Sequence, residues 1–406
     1  MNREEPFLQN HKAGSRLQRK GDYRGARRYF EKNLGIPDMR LHAAALYHLA
    51  QMEQDWNKKR EYLEMCLRVE PGHRMARVLL SCLTPGMKKR VDADTKGVLR
   101  PFFERYPLNI QLQTVSACNG LCITCPYHES WQKKNPGRMS EETFDYVIRL
   151  LAEIPLGKIC LYLENEPFLD RRLFERIEKV RTGLRFRDIE ISTNVSLFTE
   201  TNLRQLVDSL SGVDHEIWLS WHGITPGSYK QLMGFDFASN LEKLKNYFRI
   251  TGGKLNTVIN SIIGSKLVKE RRYSGEKETV SFFKSVITEC GITDLSKIKI
   301  KPFRFHDRAG SVKTGGEVDK KLRRLKGKLK PGCWRINEWL HILYDGDIVL
   351  CCMDYHKETV MGNVADFDRL EELFASPRYL GVRNKALGLA EAEEGFICRR
   401  CLSPGG

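Results

Sequence analysis

No stretch of the chain approaches the roughly 20 consecutive apolar residues that a membrane-spanning helix requires. The first residues, Met1-Asn-Arg-Glu-Glu5, carry no apolar signal core. These two absences lead to the expectation of a cytoplasmic protein with no membrane partner. A reducing compartment would leave twelve cysteines with little use as disulfides, so metal or cluster ligation is the expected role for the motif-bearing ones. A fourth cysteine is missing beside the densest group of three. What remains is a chain of 406 residues, 41% hydrophobic and 10% aromatic, long enough for two or three globular domains. Its formal charge of +16 suggests an anionic ligand or surface, although the charge is spread along the chain as on a solvated face.

The group of three is Cys118-Asn-Gly-Leu-Cys122-Ile-Thr-Cys125. It follows the alternating run Ile110–Val115, which reads as a strand. Cysteine thiolates are the standard ligands of iron–sulfur clusters, and three of them leave one iron of a four-iron cube open. Zinc is the competing reading, with His128 as the nearby fourth ligand. Cys66, Cys82, Cys160, Cys290 and Cys352 have no motif partner and read as small buried hydrophobes.

Residues 1–95 read as an all-helical domain. Pro37 and Pro71 lie one tetratricopeptide period apart. Leu41–Gln51 and Lys58–Val69 are expected to be the helices of the second repeat, with a capping helix over Gly72–Leu83. Asn57 and Arg60 depart from the repeat consensus. The stretch Thr84–Tyr106 is polar, basic and broken by proline and glycine, and the linker proper is placed at 96–107. From Leu108 strands and helices alternate, which implies a parallel sheet with crossover helices. Six strand–helix units are expected: strands at Ile110–Val115, Lys158–Leu163, Asp188–Ser192, Glu216–Ser220, Leu255–Ile263 and Ile298–Phe303. The fold class expected is α/β, a partial (β/α)6 barrel over 108–310. A basic linker over 311–330 and a small β-hairpin/helix domain over 331–406 follow. The chemistry of such barrels belongs at the C-terminal ends of the strands.

Unusual residues cluster at those ends. Glu164-Asn-Glu-Pro167 follows strand two, Ser192-Thr-Asn194 ends strand three, and Ser220-Trp-His222 ends strand four. With C-x3-C-x2-C after strand one, this order resembles the radical S-adenosylmethionine (radical SAM) enzymes. The resemblance implies that Cys118, Cys122 and Cys125 hold a [4Fe-4S] cluster whose open iron binds SAM. It implies that Glu166 serves the methionine amino group, Ser192 and Asn194 the ribose, and Ser220 the carboxylate. Glu164 and Asn165 stand where the family commonly has glycine. Thr124 stands where a bulky residue usually precedes the last cysteine, so Tyr127 is the substitute candidate for packing against adenine. His222 is the chosen acid/base candidate over His306 and Asp307.

Further on, Cys333, Gly346, Cys351, Gly362-Asn363 and Cys398-Arg-Arg-Cys401 follow one another. Asp345-Gly346 is a strong hairpin signal. The pattern resembles the SPASM/twitch auxiliary-cluster domains, and because the sequence given stops after Cys401, the one-cluster twitch form is expected. Cys333, Cys351, Cys398 and Cys401 are then the ligands of one auxiliary [4Fe-4S] cluster, with Cys352 an alternative to Cys351 and a four-cysteine zinc site the competing reading. The implied function is reductive SAM cleavage and hydrogen abstraction from a small polar, carbohydrate- or nucleotide-like metabolite. An electron donor such as flavodoxin or ferredoxin would supply the electron, and the helical domain would serve as a lid or protein dock. Two alternatives stay open: a peptide maturase that docks its substrate on the helical domain, and a zinc-binding basic nucleic-acid adaptor. Nucleic acid is the less expected partner.

Overall fold

The computed structural model describes residues 4–20, 22–36, 42–53, 56–71, 73, 76, 80, 108–263, 275–304, 307–312, 333–387 and 390–401. The expected linker over 96–107, nearly all of the capping helix and the basic linker, Cys82 and His306 lie outside the described residues.

Among the described residues four helices open the chain: α1 Glu4–Lys20, α2 Tyr23–Leu34, α3 His42–Met52 and α4 Trp56–Val69. They pack in sequence, α1 on α2, α2 on α3 and α3 on α4, as two helical hairpins would. The α2 N-terminus is capped by the Asp22 side chain, which accepts from Gly25 N. Ala26 and Phe30 on α2 meet Ala45 and Leu49 on α3 in one apolar cluster. The small alanines let the helices approach while Phe30 fills the seam, a helix-on-helix core built by i, i+4 spacing.

The next part is a sheet of β1 Leu108–Leu112, β2 Leu156–Cys160, β3 Phe186–Thr193, β4 His215–Ser220, β5 Thr257–Ile262 and β6 Ile298–Phe303. These six strands are parallel and lie in sequence order. Sequential order has no switch point, so right-handed crossovers put every connecting helix on one face. Register shows which residues face them. Ile110, Ile159 and Ile189 are aligned across β1, β2 and β3, as are Leu219 and Ile259 across β4 and β5, and all five are fully buried. The opposite face is polar: Cys160, Glu190 and Glu216 are in register, and Lys158 pairs with Glu190 at 2.5 Å and Glu216 at 2.7 Å. The crossover helices between β1 and β5 are α5 Glu141–Leu151, α6 Leu173–Gly183, α7 Glu200–Ser209, α8 Pro226–Met233 and α9 Phe237–Thr251; α10 Glu276–Glu289 precedes β6. The expected Ser140 cap is present, accepting from Thr143 N at 3.0 Å.

Two results differ from the sequence reading. β1 and β2 end three residues earlier than their apolar runs suggest, although Gln113, Thr114, Val115 and Leu161 stay buried past the strand ends. The C-terminal part is also joined to the barrel sheet rather than set apart. After α11 Trp334–Glu338, β7 Trp339–Ile342 adds parallel to β1, with β8 Asp347–Val349 and β9 Val360–Asn363 antiparallel beyond it. Among the described residues the sheet therefore has nine strands in the order β6-β5-β4-β3-β2-β1-β7-β8-β9. Gly346 turns the β7–β8 hairpin at φ +86°, where a Cβ would also lie 2.9 Å from Asn363 Oδ1. Asn363 Nδ2 in turn donates to Asp345 O and Asp347 Oδ1, which fixes β9 on the turn. α12 Leu370–Ala375 and α13 Pro377–Leu387 close this part, with a last helical turn at Ile397–Arg400.

Candidate active site and cysteine centres

The three-cysteine loop begins six residues past β1 and is held from three sides. Its backbone pairs with the end of α8, Leu121 N with Met233 O and Ile123 N with Leu232 O, both at 3.1 Å. Gly234 caps α8 at φ +79°, and a Cβ there would come within 2.4 Å of Leu121 Cβ, so only glycine lets the loop lie this close. On the second side Ala117 O accepts from Glu166 N at 3.0 Å. On the third side the segment after the loop docks on the C-terminal part. Trp131 N donates to Tyr355 O at 2.9 Å, Tyr344 Oη donates to Asn135 O at 2.8 Å, and Lys357 Nζ sits 3.8 Å from the centre of the Trp131 ring.

A side-chain network joins the loop to the ends of β2 and β3. The buried Glu166 carboxylate accepts from Thr193 Oγ1 at 2.8 Å, Asn194 N at 2.8 Å and Phe168 N at 3.2 Å. Asn194 Nδ2 donates to Asn119 Oδ1 at 2.9 Å, and Asn119 Nδ2 donates to Ser196 Oγ at 2.8 Å. Between them Val195 has φ +70°, a left-handed conformation that is strained for a β-branched residue and costs on the order of 1–3 kcal/mol. The network overdetermines the turn and keeps it there. Burial pushes Glu166 up to about 7 against the pull of the donors from Asn194, Thr193 and Phe168.

The predicted site residues separate on inspection. Glu166 and Asn194 belong to the network, but the Glu166 carboxylate is committed to bracing β3. Ser192 and Ser220 face the polar interior, in register with Trp218 and Asn260 respectively. Tyr127 is not offered to a ligand: it is 4% exposed, its hydroxyl donates to Ser116 O at 2.9 Å, and it holds the cysteine loop closed. His128 is also turned to the loop, its Nε2 3.0 Å from Gly120 O. His222 is buried against Phe303, and burial lowers its pKa to about 3 with Arg308 adding. A ring so hard to protonate is a poor proton acceptor near neutral pH. Asn119, Thr193 and Ser196 were not among the predicted site residues; the asparagine inside the cysteine loop and the place of Thr193 in the Ser192-Thr-Asn194 strand end were the available signals.

Burial raises the Cys118 thiol to about 12, with Glu166 adding, and raises Cys122 and Cys125 as well. Cys118 and Cys125 are near enough to Cys122 to act on it electrostatically. Such thiols are inert as nucleophiles, but a metal displaces their protons on binding. At the second centre Cys333, Cys351, Cys398 and Cys401 line one cavity together with Arg335, Ile336 and Met353. Cys352 is not on that wall. It hydrogen-bonds to Cys351, and this bond, with Arg335 and Arg308 nearby, lowers it to about 6. Among the described residues no group of three or more His, Cys, Asp or Glu is placed to hold a metal ion.

Residues 333–402 match the SPASM family, an iron–sulfur cluster-binding domain. That segment contains all four cavity cysteines and Cys352. Comparison with curated proteins gives no match. Among solved structures, BtrN in complex with AdoMet and 2-DOIA is similar at 15% identity, covering 73% of this chain and 93% of that one, with a TM-score of 0.47. SuiB of Streptococcus suis bound to the precursor peptide SuiA is similar at 14% identity, covering 84% and 83%, with a TM-score of 0.49. The protein anSMEcpe with bound AdoMet is similar at 15% identity, covering 73% and 90%, with a TM-score of 0.47. Among the described residues no helix is long and apolar enough to cross a membrane.

Proposed function

We propose that this protein is a radical SAM enzyme with one SAM-binding [4Fe-4S] cluster, held by Cys118, Cys122 and Cys125, and one auxiliary [4Fe-4S] cluster in its SPASM segment. The observation that carries the reading is the placement of a three-thiol loop at the C-terminal end of β1 in a sequential parallel sheet, with the SPASM segment added to the same strand. The auxiliary ligands are Cys333, Cys351, Cys398 and Cys401, and Cys351 is preferred to Cys352 because it alone of the pair lines the cavity. When bound, the cluster and SAM supply a 5′-deoxyadenosyl radical that takes hydrogen from a substrate carbon.

The chain's own contributions follow from the geometry. Asn119, Asn194 and Ser196 hold the cysteine loop and the β3 end in one arrangement, which keeps the ligand-binding surface preorganised. Glu166 fixes that arrangement rather than contacting the substrate. Ser192 and Ser220 offer hydroxyls from the inner strand face to SAM. The low basicity of His222 argues against the acid/base role expected for it from sequence. The net reaction proposed is an oxidation or dehydrogenation of a small polar metabolite in the cytoplasm, with a flavodoxin or ferredoxin as electron donor. The test is anaerobic reconstitution of the full chain, an iron and sulfide count, and detection of 5′-deoxyadenosine after addition of SAM and reductant. About eight irons are expected, falling to about four in a Cys118/Cys122/Cys125→Ala variant that no longer forms 5′-deoxyadenosine. Stoichiometric zinc without SAM cleavage would overturn the reading.

A further inference from the structure

One acidic side chain in the core of the site has no use in the network above. Glu164 lies four residues past β2, where the segment leaves the sheet between the cysteine loop and the C-terminal part. It is 5% exposed, and among the described residues neither carboxylate oxygen has a hydrogen-bond partner. A buried carboxyl left wholly unpaired is costly, and a native structure tolerates one where something else completes it. Its neighbours do not. The titratable groups that interact with it electrostatically are Asp354, Cys352, Cys125 and Tyr355, all of its own sign when ionised. Asp354 is 1% exposed and already accepts from Glu358 N, Thr359 N and Thr359 Oγ1. Thus one carboxylate from the barrel faces a fully hydrogen-bonded carboxylate from the SPASM segment, although the whole chain carries an excess of 16 positive charges.

We infer that Glu164, backed by Asp354, is a specificity residue that receives a protonated amino group of the substrate at the seam between the barrel and the SPASM segment. This rests on the radical SAM reading for the identity of the seam as a substrate site. The physical case needs only the cation: an ammonium supplies up to three donors and a full positive charge to the member of this acidic pair whose two oxygens are both unpartnered among the described residues. Two further buried polar side chains at the β1–β7 pairing, Gln113 with its amide and His341 with both ring nitrogens, also have no partner among the described residues.

The experiment compares reconstituted wild type with Glu164→Gln and Glu164→Leu, using paired probes that differ by one amine. N-acetyl-lysine amide is set against N-acetyl-norleucine amide, and glucosamine against glucose, so that the two pairs separate a peptide source of the amine from a small-molecule source. Wild type is expected to bind the amine of at least one pair ten times more tightly than its neutral partner, and Glu164→Gln to lose that preference. Without probe, Glu164→Leu is expected to unfold at a temperature equal to or above that of wild type, since it removes an unpaired buried carboxyl. No amine preference in wild type, or a preference that survives Glu164→Gln, overturns the inference. So does a fall in SAM affinity equal to the fall in amine affinity, which would assign the carboxylate to the ammonium of SAM. So does a lower unfolding temperature in Glu164→Leu, which would make the residue structural. If wild type forms no 5′-deoxyadenosine yet shows the Glu164-dependent amine preference, the proposed reaction fails while the amine site stands.

Discussion

The two cysteine centres are built in opposite ways. The first takes its three thiols from eight consecutive residues, Cys118 to Cys125, so the chain itself brings them together at little loop-closure cost. The second gathers Cys333, Cys351, Cys398 and Cys401 around one cavity from a segment that also forms three strands and two longer helices. Its assembly depends on the hairpin, on β9 and on the final helical turn all being in place. A local centre is exposed to errors in orientation, which the Asn119–Asn194–Ser196 network and Glu166 correct. A dispersed centre is exposed to errors in folding, which β7 on β1 corrects.

The sharpest way to break that contrast is to remove ligands from the dispersed site. A Cys398→Ala/Cys401→Ala variant is expected to lose about four irons while 5′-deoxyadenosine formation falls by less than tenfold, read by iron assay and product chromatography. Equal loss of SAM cleavage from both sets of variants would show that the centres are not separable.

Next in size is the brace beneath the local site. Arg176 is 2% exposed and pairs with Asp170 at 2.9 Å, while it donates to Thr114 O at 3.2 Å and Met139 O at 2.6 Å. Arg176→Ala leaves the buried Asp170 without its ion-pair partner, keeping only the bond from Arg172 N, and should cost about 3 kcal/mol in denaturant unfolding. The contrast would weaken if Gly346→Ala, which strains only the hairpin that serves the dispersed site, cost as much; about 1–3 kcal/mol is expected there from its φ of +86°. Asn119→Ala should leave the iron content unchanged and weaken SAM binding roughly tenfold, about 1.4 kcal/mol, measured by equilibrium binding.

The smallest effect expected is a pH dependence. Glu166 is raised to about 7 in the fold from the ordinary value of 4.5, so between those values the folded state holds more protons than the unfolded one. Stability contributed by the protonated group is therefore complete below about 4.5 and is lost as pH rises to about 7. Unfolding midpoints of Glu166→Gln should show a flatter profile over that window than wild type.

Much of the fold was legible because its signals are local. Short apolar runs between helical stretches marked all six parallel strands, Ser140 marked the start of α5, and Asp345-Gly346 marked the hairpin. Side-chain assignments were harder for a physical reason. Glu166, Tyr127 and His222 each look suited to a ligand in the linear sequence, yet hydrogen bonds to Asn194 and Thr193, a bond to Ser116 O, and burial against Phe303 respectively commit them elsewhere. Glu164 shows the reverse. It looked like a departure at a glycine position, and only its missing partners single it out.

By itself the sequence determined the strand–helix alternation, the spacing of the first three thiols and the turn that opens the SPASM segment, all of which follow from contacts within a few residues. Only the tertiary structure decided that Asn109–Leu112 would pair in parallel with Trp339–Ile342, because no local pattern specifies which edge a distant strand will join. That pairing makes one sheet of two regions. It places the carboxylates of Glu164 and Asp354 near each other, and their neighbourhood is a property of neither segment alone.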